Sequence, residues 1–125
     1  MLNLRSFLAG AVLASVVGAL VVRTALSQDP VMVTPDLYKV LLENQNIRVL
    51  EVTYQPGQSE GWHSHPRYFF YVVEPGKLRS EPESGEAEEF DLELGLNGLT
   101  GPVSKHSVKN VGDSVVRLLA IELKP

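Results

Sequence analysis

Cysteine is absent from this 125-residue chain. Its absence excludes disulfide-stapled scaffolds, thiolate zinc fingers, iron–sulfur clusters and thiol nucleophiles together. Basic residues are few as well: 11 Lys and Arg stand against 15 Asp and Glu, a formal net charge of −4. A non-specific nucleic-acid binder needs a basic face to displace counterions, so no nucleic-acid partner is expected. No calcium loop is present either. Glu81, Glu83, Glu86, Glu88 and Glu89 cluster, but they lack the ligand spacing of such a loop and read as a solvated hairpin tip. What remains is an ordinary globular composition long enough for one domain. Its only metal-capable nitrogen ligands are three histidines.

Residues 1–27 stand apart from the rest. Arg5 gives a short positive start, and Phe7 to Val22 is an unbroken run of apolar or small residues. Ala25-Leu26-Ser27 then offers small residues at the −3 and −1 positions of a cut before Gln28. This order is that of a secretory signal peptide and predicts a secreted or periplasmic protein. The alternative is an uncleaved membrane anchor over residues 7–22, the one case in which a membrane would be a partner. A 16-residue helix spans about 24 Å, short of a ~30 Å hydrocarbon core. Removal of residues 1–27 takes Arg5 and Arg23 but no acid, leaving 9 basic and 15 acidic residues in a single domain over 28–125.

Beyond residue 30 the chain alternates short Val-, Ile-, Leu-, Tyr- and Phe-rich runs with turn residues. Strands are predicted at Tyr38–Glu43, Ile47–Tyr54, Gly61–His65, Tyr68–Val73, Lys77–Arg79, Glu88–Leu94, His106–Asn110 and Val115–Leu123. Asn44-Gln45-Asn46, Pro56-Gly57, Glu74-Pro75-Gly76, Gly85, Asn97-Gly98 and Gly112-Asp113 supply the turns. Turn signals about every ten residues point to an all-β sandwich or barrel. Only Pro35–Leu42 offers the start of a helical turn.

His63 and His65 lie two apart, so a strand points both imidazoles to the same face. His106 follows 41 residues later at the start of another predicted strand. Periodicity alone does not bring it to the first two.

The spacing around these histidines carries a family resemblance. Gly57-x5-His63-x-His65 followed by Gly76 resembles the first motif of the cupin superfamily, Gly-x5-His-x-His-x3-4-Glu-x6-Gly. His106-x3-Asn110 is similar to the end of the second motif, Gly-x5-Pro-x-Gly-x2-His-x3-Asn, with Gly95 where that motif begins. The segments Leu41–Asn44 and Arg48–Val52 also look like those of small secreted bacterial cupins. The resemblance covers residues 38–123 and departs from the motifs in places. Phe69 and Phe70 stand where the glutamate belongs, and counting back from Gly76 selects Phe69. Gly101 and Val103 replace the second motif's proline and glycine.

The resemblance implies a double-stranded β-helix, a jelly-roll barrel, with His63, His65 and His106 converging inside on a divalent transition metal: Fe, Zn, Mn, Ni or Cu. Phe69, Tyr71 and Val73 would face inward, with Tyr68, Phe70 and Val72 opposite. Without the glutamate, the ion's charge calls for an anionic small-molecule ligand. Glu60 and Glu51 are candidates to replace the missing ligand, with an exposed surface position the default for each. Tyr68 and Tyr71 are candidate proton carriers, with packing the plainer role, and Arg67 a candidate for binding a ligand carboxylate. Trp62 and Ser64 should face away from the ligands, and Asn110 should tie a turn. Two functions follow. One is a metal-dependent enzyme on small anionic metabolites, an oxygenase by resemblance. The other is a non-catalytic module for binding or sensing a small ligand. A homodimer is expected, because a free edge strand invites pairing.

Overall fold

The computed structural model describes residues 28–125, so the expected signal or anchor segment over 1–27 lies outside the described residues. Among the described residues one short helix, α1 (Pro30–Val33), precedes nine strands: β1 (Tyr38–Glu43), β2 (Ile47–Tyr54), β3 (His63–His65), β4 (Tyr68–Glu74), β5 (Gly76–Pro82), β6 (Glu88–Leu92), β7 (Asn97–Thr100), β8 (Val103–Asn110) and β9 (Val116–Leu123). They form a five-stranded sheet in the order β1-β2-β9-β4-β7 and a four-stranded sheet in the order β3-β8-β5-β6. Every pairing is antiparallel. This is the double-stranded β-helix that the motifs imply.

The helical turn sits earlier than the sequence suggests. Asp29 caps α1 by accepting a hydrogen bond from Val31 N at 3.0 Å, and Pro30 occupies the first turn, where a missing N–H costs nothing. Pro35 instead opens a tight turn that delivers Tyr38 into β1. β7 is a strand that turn signals hid. Asn97-Gly98 reads as a turn, yet the chain reverses two residues earlier, where Gly95 takes φ +83° and Leu96 N donates to Glu93 O at 3.1 Å.

Alternation in β2 and β9 sets the core. Leu50, Val52 and Tyr54 are buried from β2, Val116 and Ala120 from β9, and Leu78 and Val108 meet them from the other sheet. The turn Gln55-Pro56-Gly57-Gln58 closes with Gln58 N donating to Gln55 O at 2.9 Å, and Gly57 supplies the φ of +80° that the corner needs. It launches the segment that carries Glu60 and His63 across to the second sheet.

The facing of β4 differs from the expectation. Tyr68, Phe70 and Val72 pair with Glu122, Ala120 and Leu118 and share their inward face, whereas Tyr71 and Val73 are exposed. The cause is a register shift between Val72 and Glu74. Counting back from Gly76 crosses that bulge and lands one residue out of phase.

Candidate metal centre

The register of β3 on β8 sets His63 directly opposite His106, and the two-residue period of β3 places His65 beside them. The histidines close into one cluster. Ring centroids lie 4.6 Å apart for His63–His65 and for His63–His106, and 5.4 Å apart for His65–His106. One ring nitrogen from each lies within 4.8 Å of the other two. His63 is fully buried, and His65 is buried beside it.

Each ring is oriented through Nδ1. His63 Nδ1 donates to Gly61 O at 2.7 Å, and His65 Nδ1 donates to the Glu122 carboxylate at 3.0 Å. His106 Nδ1 meets Ser80 Oγ at 3.2 Å. Carbonyl and carboxylate oxygens can only accept, so in His63 and His65 the proton sits on Nδ1 and the Nε2 lone pair faces inward, while the Ser80 hydroxyl can give or take a hydrogen bond and suits either tautomer of His106. His63 Nε2 and His65 Nε2 stand 2.9 Å apart, and His106 Nε2 is buried with no hydrogen-bond partner among the described residues. Converging lone pairs repel unless a cation lies between them. The donor set therefore fits a divalent transition ion, for which neutral imidazole nitrogens are ordinary ligands.

Burial holds the His63 imidazole's pKa down to about 4, partly opposed by the Gly61 carbonyl. It holds His106 down to about 3, with His63 and His65 adding to the effect. Rings that stay neutral near pH 7 are rings ready to ligate.

Three charged residues reach this centre from positions that the sequence analysis did not single out. Glu122 Oε2 accepts the hydrogen bond from His65 Nδ1, while Glu122 Oε1 accepts from Arg48 Nε at 2.7 Å. Arg48 in turn grips Asp29 through both terminal nitrogens at 2.9 and 3.0 Å. Asp29, Arg48, Glu122 and His65 thus form one continuous chain of charge-assisted bonds, which fixes ring orientation and raises ligand basicity. The sequence held a signal for two of them. Arg48 and Glu122 sit in the same phase as Leu50, Val52, Tyr54 and Val116, Leu118, Ala120, and the register pairs them. Charge on an apolar phase of two predicted strands marks a buried pair.

Glu60 is a correction. Its default reading is an exposed surface glutamate, yet it is only 4% exposed. Tyr54 donates to its Oε1 at 2.9 Å and Tyr38 to its Oε2, while Oε1 lies 3.5 Å from His63 Nε2. Burial lifts its pKa to about 7 against the pull of the two hydroxyls. A carboxyl therefore stands beside the cluster although Phe70, not an acid, faces inward from β4. Glu51 lies on the outer phase of β2, opposite Lys39 and Leu119, away from the centre.

A cavity of about 330 Å³ opens beside the histidines, with Tyr38, Tyr54, Glu60, His65, Tyr68 and His106 at its polar end. Phe70, Leu78, Phe90, Leu92 and Leu118 line the remainder with other mostly apolar side chains. Tyr68 packs against His65 at 4.9 Å between centroids, and burial raises its pKa to about 12. Tyr71 points outward. Arg67 is exposed and does not line the cavity. Trp62 is exposed, and Ser64 pairs through its backbone N–H with Gln28 O at 2.9 Å. Asn110 is buried and ties its turn as expected, donating to Tyr54 O and Ser114 O and accepting from Gly112 N. The acidic cluster at residues 81–89 is exposed on the β5–β6 hairpin.

A double-stranded β-helix with three histidines turned into its interior defines the class of protein. The family model for the cupin domain matches residues 50–122, and the chain belongs to that family. Among solved structures it is similar to a cupin domain from Bordetella pertussis Tohama I, at 27% identity and a TM-score of 0.65 over 70% of this chain and 92% of that one. It is also similar to an RmlC-like cupin family protein with a double-stranded β-helix fold from Methanocaldococcus jannaschii, at 10% identity and a TM-score of 0.59, covering 69% and 77% of the two chains. A third likeness is an uncharacterized conserved protein with a double-stranded β-helix domain from Klebsiella pneumoniae, at 20% identity and a TM-score of 0.57, covering 69% and 74%. No curated protein matches the sequence.

Proposed function

We propose that His63, His65 and His106 hold a divalent transition ion through their Nε2 atoms, and that the protein is a metal-dependent enzyme acting on a small molecule in the adjoining cavity. The observation that carries this reading is the orphaned, buried Nε2 of His106, set against two further Nε2 lone pairs whose rings are pinned from behind. When bound, such an ion supplies Lewis acidity or, for iron, copper or manganese, a redox centre. The chain's own residues do the rest. Asp29, Arg48 and Glu122 hold the His65 ring in its ligating tautomer. Tyr38 and Tyr54 aim the Glu60 carboxyl at the space beside His63, within reach of a proton on a bound small molecule. That placed carboxyl favours an enzyme over a binding or sensing module, for which nothing at the site requires a buried proton acceptor.

Metal stoichiometry of the purified protein, repeated on His106→Ala, tests the centre. About one ion per chain, lost in the variant, is the expected result, and unchanged metal content would reject it. Oxygen uptake with small diketones, thiols and hydroxy acids then tests the oxygenase form of the reading, with Glu60→Gln keeping its metal but losing turnover.

Export to the periplasm or the medium is part of the same proposal and rests on residues 1–27; no helix among the described residues is long and apolar enough to cross a membrane. So is a homodimer. Leu42, Val49, Ile121, Phe69 and Leu99 align across all five strands on the outer phase of the larger sheet, with Leu42 48% and Leu99 55% exposed. Light scattering showing a monomer at micromolar concentration would remove the dimer.

A further inference from the structure

Charge around the cavity narrows the ligand that the centre would take. We propose that it is an uncharged, mainly apolar small molecule with one oxygen-bearing end, in place of the anionic metabolite expected from the sequence. This inference rests on the metal centre proposed above and adds the chemical class of its ligand.

Two observations carry it. The first is the absence of any cation on the wall: among the described residues no lysine or arginine lines the cavity, and Arg67, the sequence's candidate for gripping a carboxylate, lies outside it. Arg48, the cation tied to the centre through Glu122, is already spent on Asp29 and Glu122. Asp29, Arg48 and Glu122 together carry one net negative charge behind His65, and Glu60 adds a carboxyl beside His63. An ion of charge +2 would draw Glu60 into its ionised form and then be offset by the protein's own groups. A ligand carboxylate away from the ion would sit in an apolar enclosure with no partner, a costly placement.

The second observation is how the cavity divides. Its polar residues include His65, His106, Glu60 and Tyr68, whose hydroxyl makes no hydrogen bond with a described residue and is free to donate to a ligand oxygen. The rest of the lining is mainly apolar, with Phe70, Leu78, Leu118 and Phe90, the last of them 44% exposed. A ligand matched to both ends has one oxygen-rich head and an apolar body.

Three hydroxamic acids with the same metal-seeking head test this: acetohydroxamic, benzohydroxamic and 4-carboxybenzohydroxamic acid. Metal content is measured first, and the loaded protein is titrated with each by calorimetry. The phenyl compound should bind about tenfold or more tighter than the methyl compound, and the carboxylated one about tenfold or more weaker than the phenyl. Phe90→Arg, a change at an exposed position that spares the core, should reverse the order of the last two. A carboxylated probe that binds the unaltered protein as tightly as the phenyl probe overturns the proposal, as does a phenyl probe no better than the methyl one. Failure to load metal overturns the centre instead. The cavity is then read on the metal-free protein by ligand-observed NMR with the same probes, where the same order upholds the proposal and its absence overturns it.

Discussion

Glu122→Gln isolates what the buried carboxylate does for the metal centre. In the native arrangement one carboxylate oxygen serves Arg48 and the other accepts the His65 Nδ1 proton. Glutamine keeps the shape but turns one acceptor into a donor. Arg48 cannot lose its proton and its side chain is only 14% exposed, so the amide oxygen must turn to it. The amide NH2 then faces His65 Nδ1, which satisfies it only by giving up its proton. The ring switches tautomer and presents N–H, not a lone pair, to His63 and His106. Ligating a metal in that variant requires Nδ1 to take the proton back and oppose the amide NH2, leaving two buried donors unpaired.

Two unpaired buried donors at about 1–3 kcal/mol each cost about 2–6 kcal/mol, which is roughly a 30- to 25,000-fold loss of metal affinity. That range overlaps the ~10–100-fold cost common for partners of metal-bound histidines. The fold should survive, because Asp29 still pairs with Arg48. Affinity is read by competition against a chromophoric chelator, and the tautomer by nitrogen NMR of the His65 ring in the metal-free protein. Affinity within twofold of the parent, with the proton still on Nδ1, would refute the reasoning.

Three other perturbations probe neighbouring parts of the site. Tyr54→Phe leaves Glu60 with Tyr38 alone as donor and should lower stability by about 1–3 kcal/mol in urea, while a change under about 0.5 kcal/mol would deny the bond any role. Metal at 100 times its dissociation constant should add about 2.7 kcal/mol, raising Tm by about 10–20 °C in a calorimetric scan, and His106→Ala should abolish the rise. The metal-free protein should lose stability on acidification below pH 6.5. His63 and His106 have folded values near 4 and 3, beneath their unfolded value of 6.5, so the unfolded chain takes up protons that the fold refuses. Glu60 acts in the opposite sense between about 7 and 4.5, because its raised value lets the fold keep a proton that the unfolded chain releases. Two groups against one leave a net fall of about 1 kcal/mol per pH unit, and Glu60→Gln should steepen it. A urea midpoint that is flat or rises from pH 6.5 to 5 would contradict this sign.

What the chain shows on its face and what it hides divide along a physical line. The cluster was legible because two of its rings are fixed by a local period of two and the third by motif spacing, and spacing survives in one dimension. The phase of β4 was not, because a bulge between Val72 and Glu74 consumes one residue without marking itself by glycine or proline. β7 was hidden for a related reason, since Asn97-Gly98 carries the chemistry of a turn while Gly95 makes it. Glu60 illustrates a deeper difficulty. Nothing within its own segment distinguishes it from a surface glutamate. It is held inside by hydroxyls from Tyr38 and Tyr54, 22 and 6 residues away along the chain, which meet only after β1 has paired with β2.

Arg48 and Glu122 lie between these cases. Each interrupts an apolar phase on its own strand, which local alternation exposes, but their partnership needs the β2–β9 register that joins residues 74 apart. The same register explains why the phase tolerates charge there. Glu122 balances Arg48 within the sheet, Asp29 closes the far side, and the carboxylate oxygen left over points at His65. If the pair served folding alone, replacing both partners with leucine should leave the fold as stable or more so, as buried ion pairs often permit. Metal affinity would nonetheless fall, because His65 Nδ1 would lose its acceptor. Stability kept and affinity lost in that double variant would separate the structural role from the functional one, whereas affinity retained would show that His65 does not depend on the carboxylate.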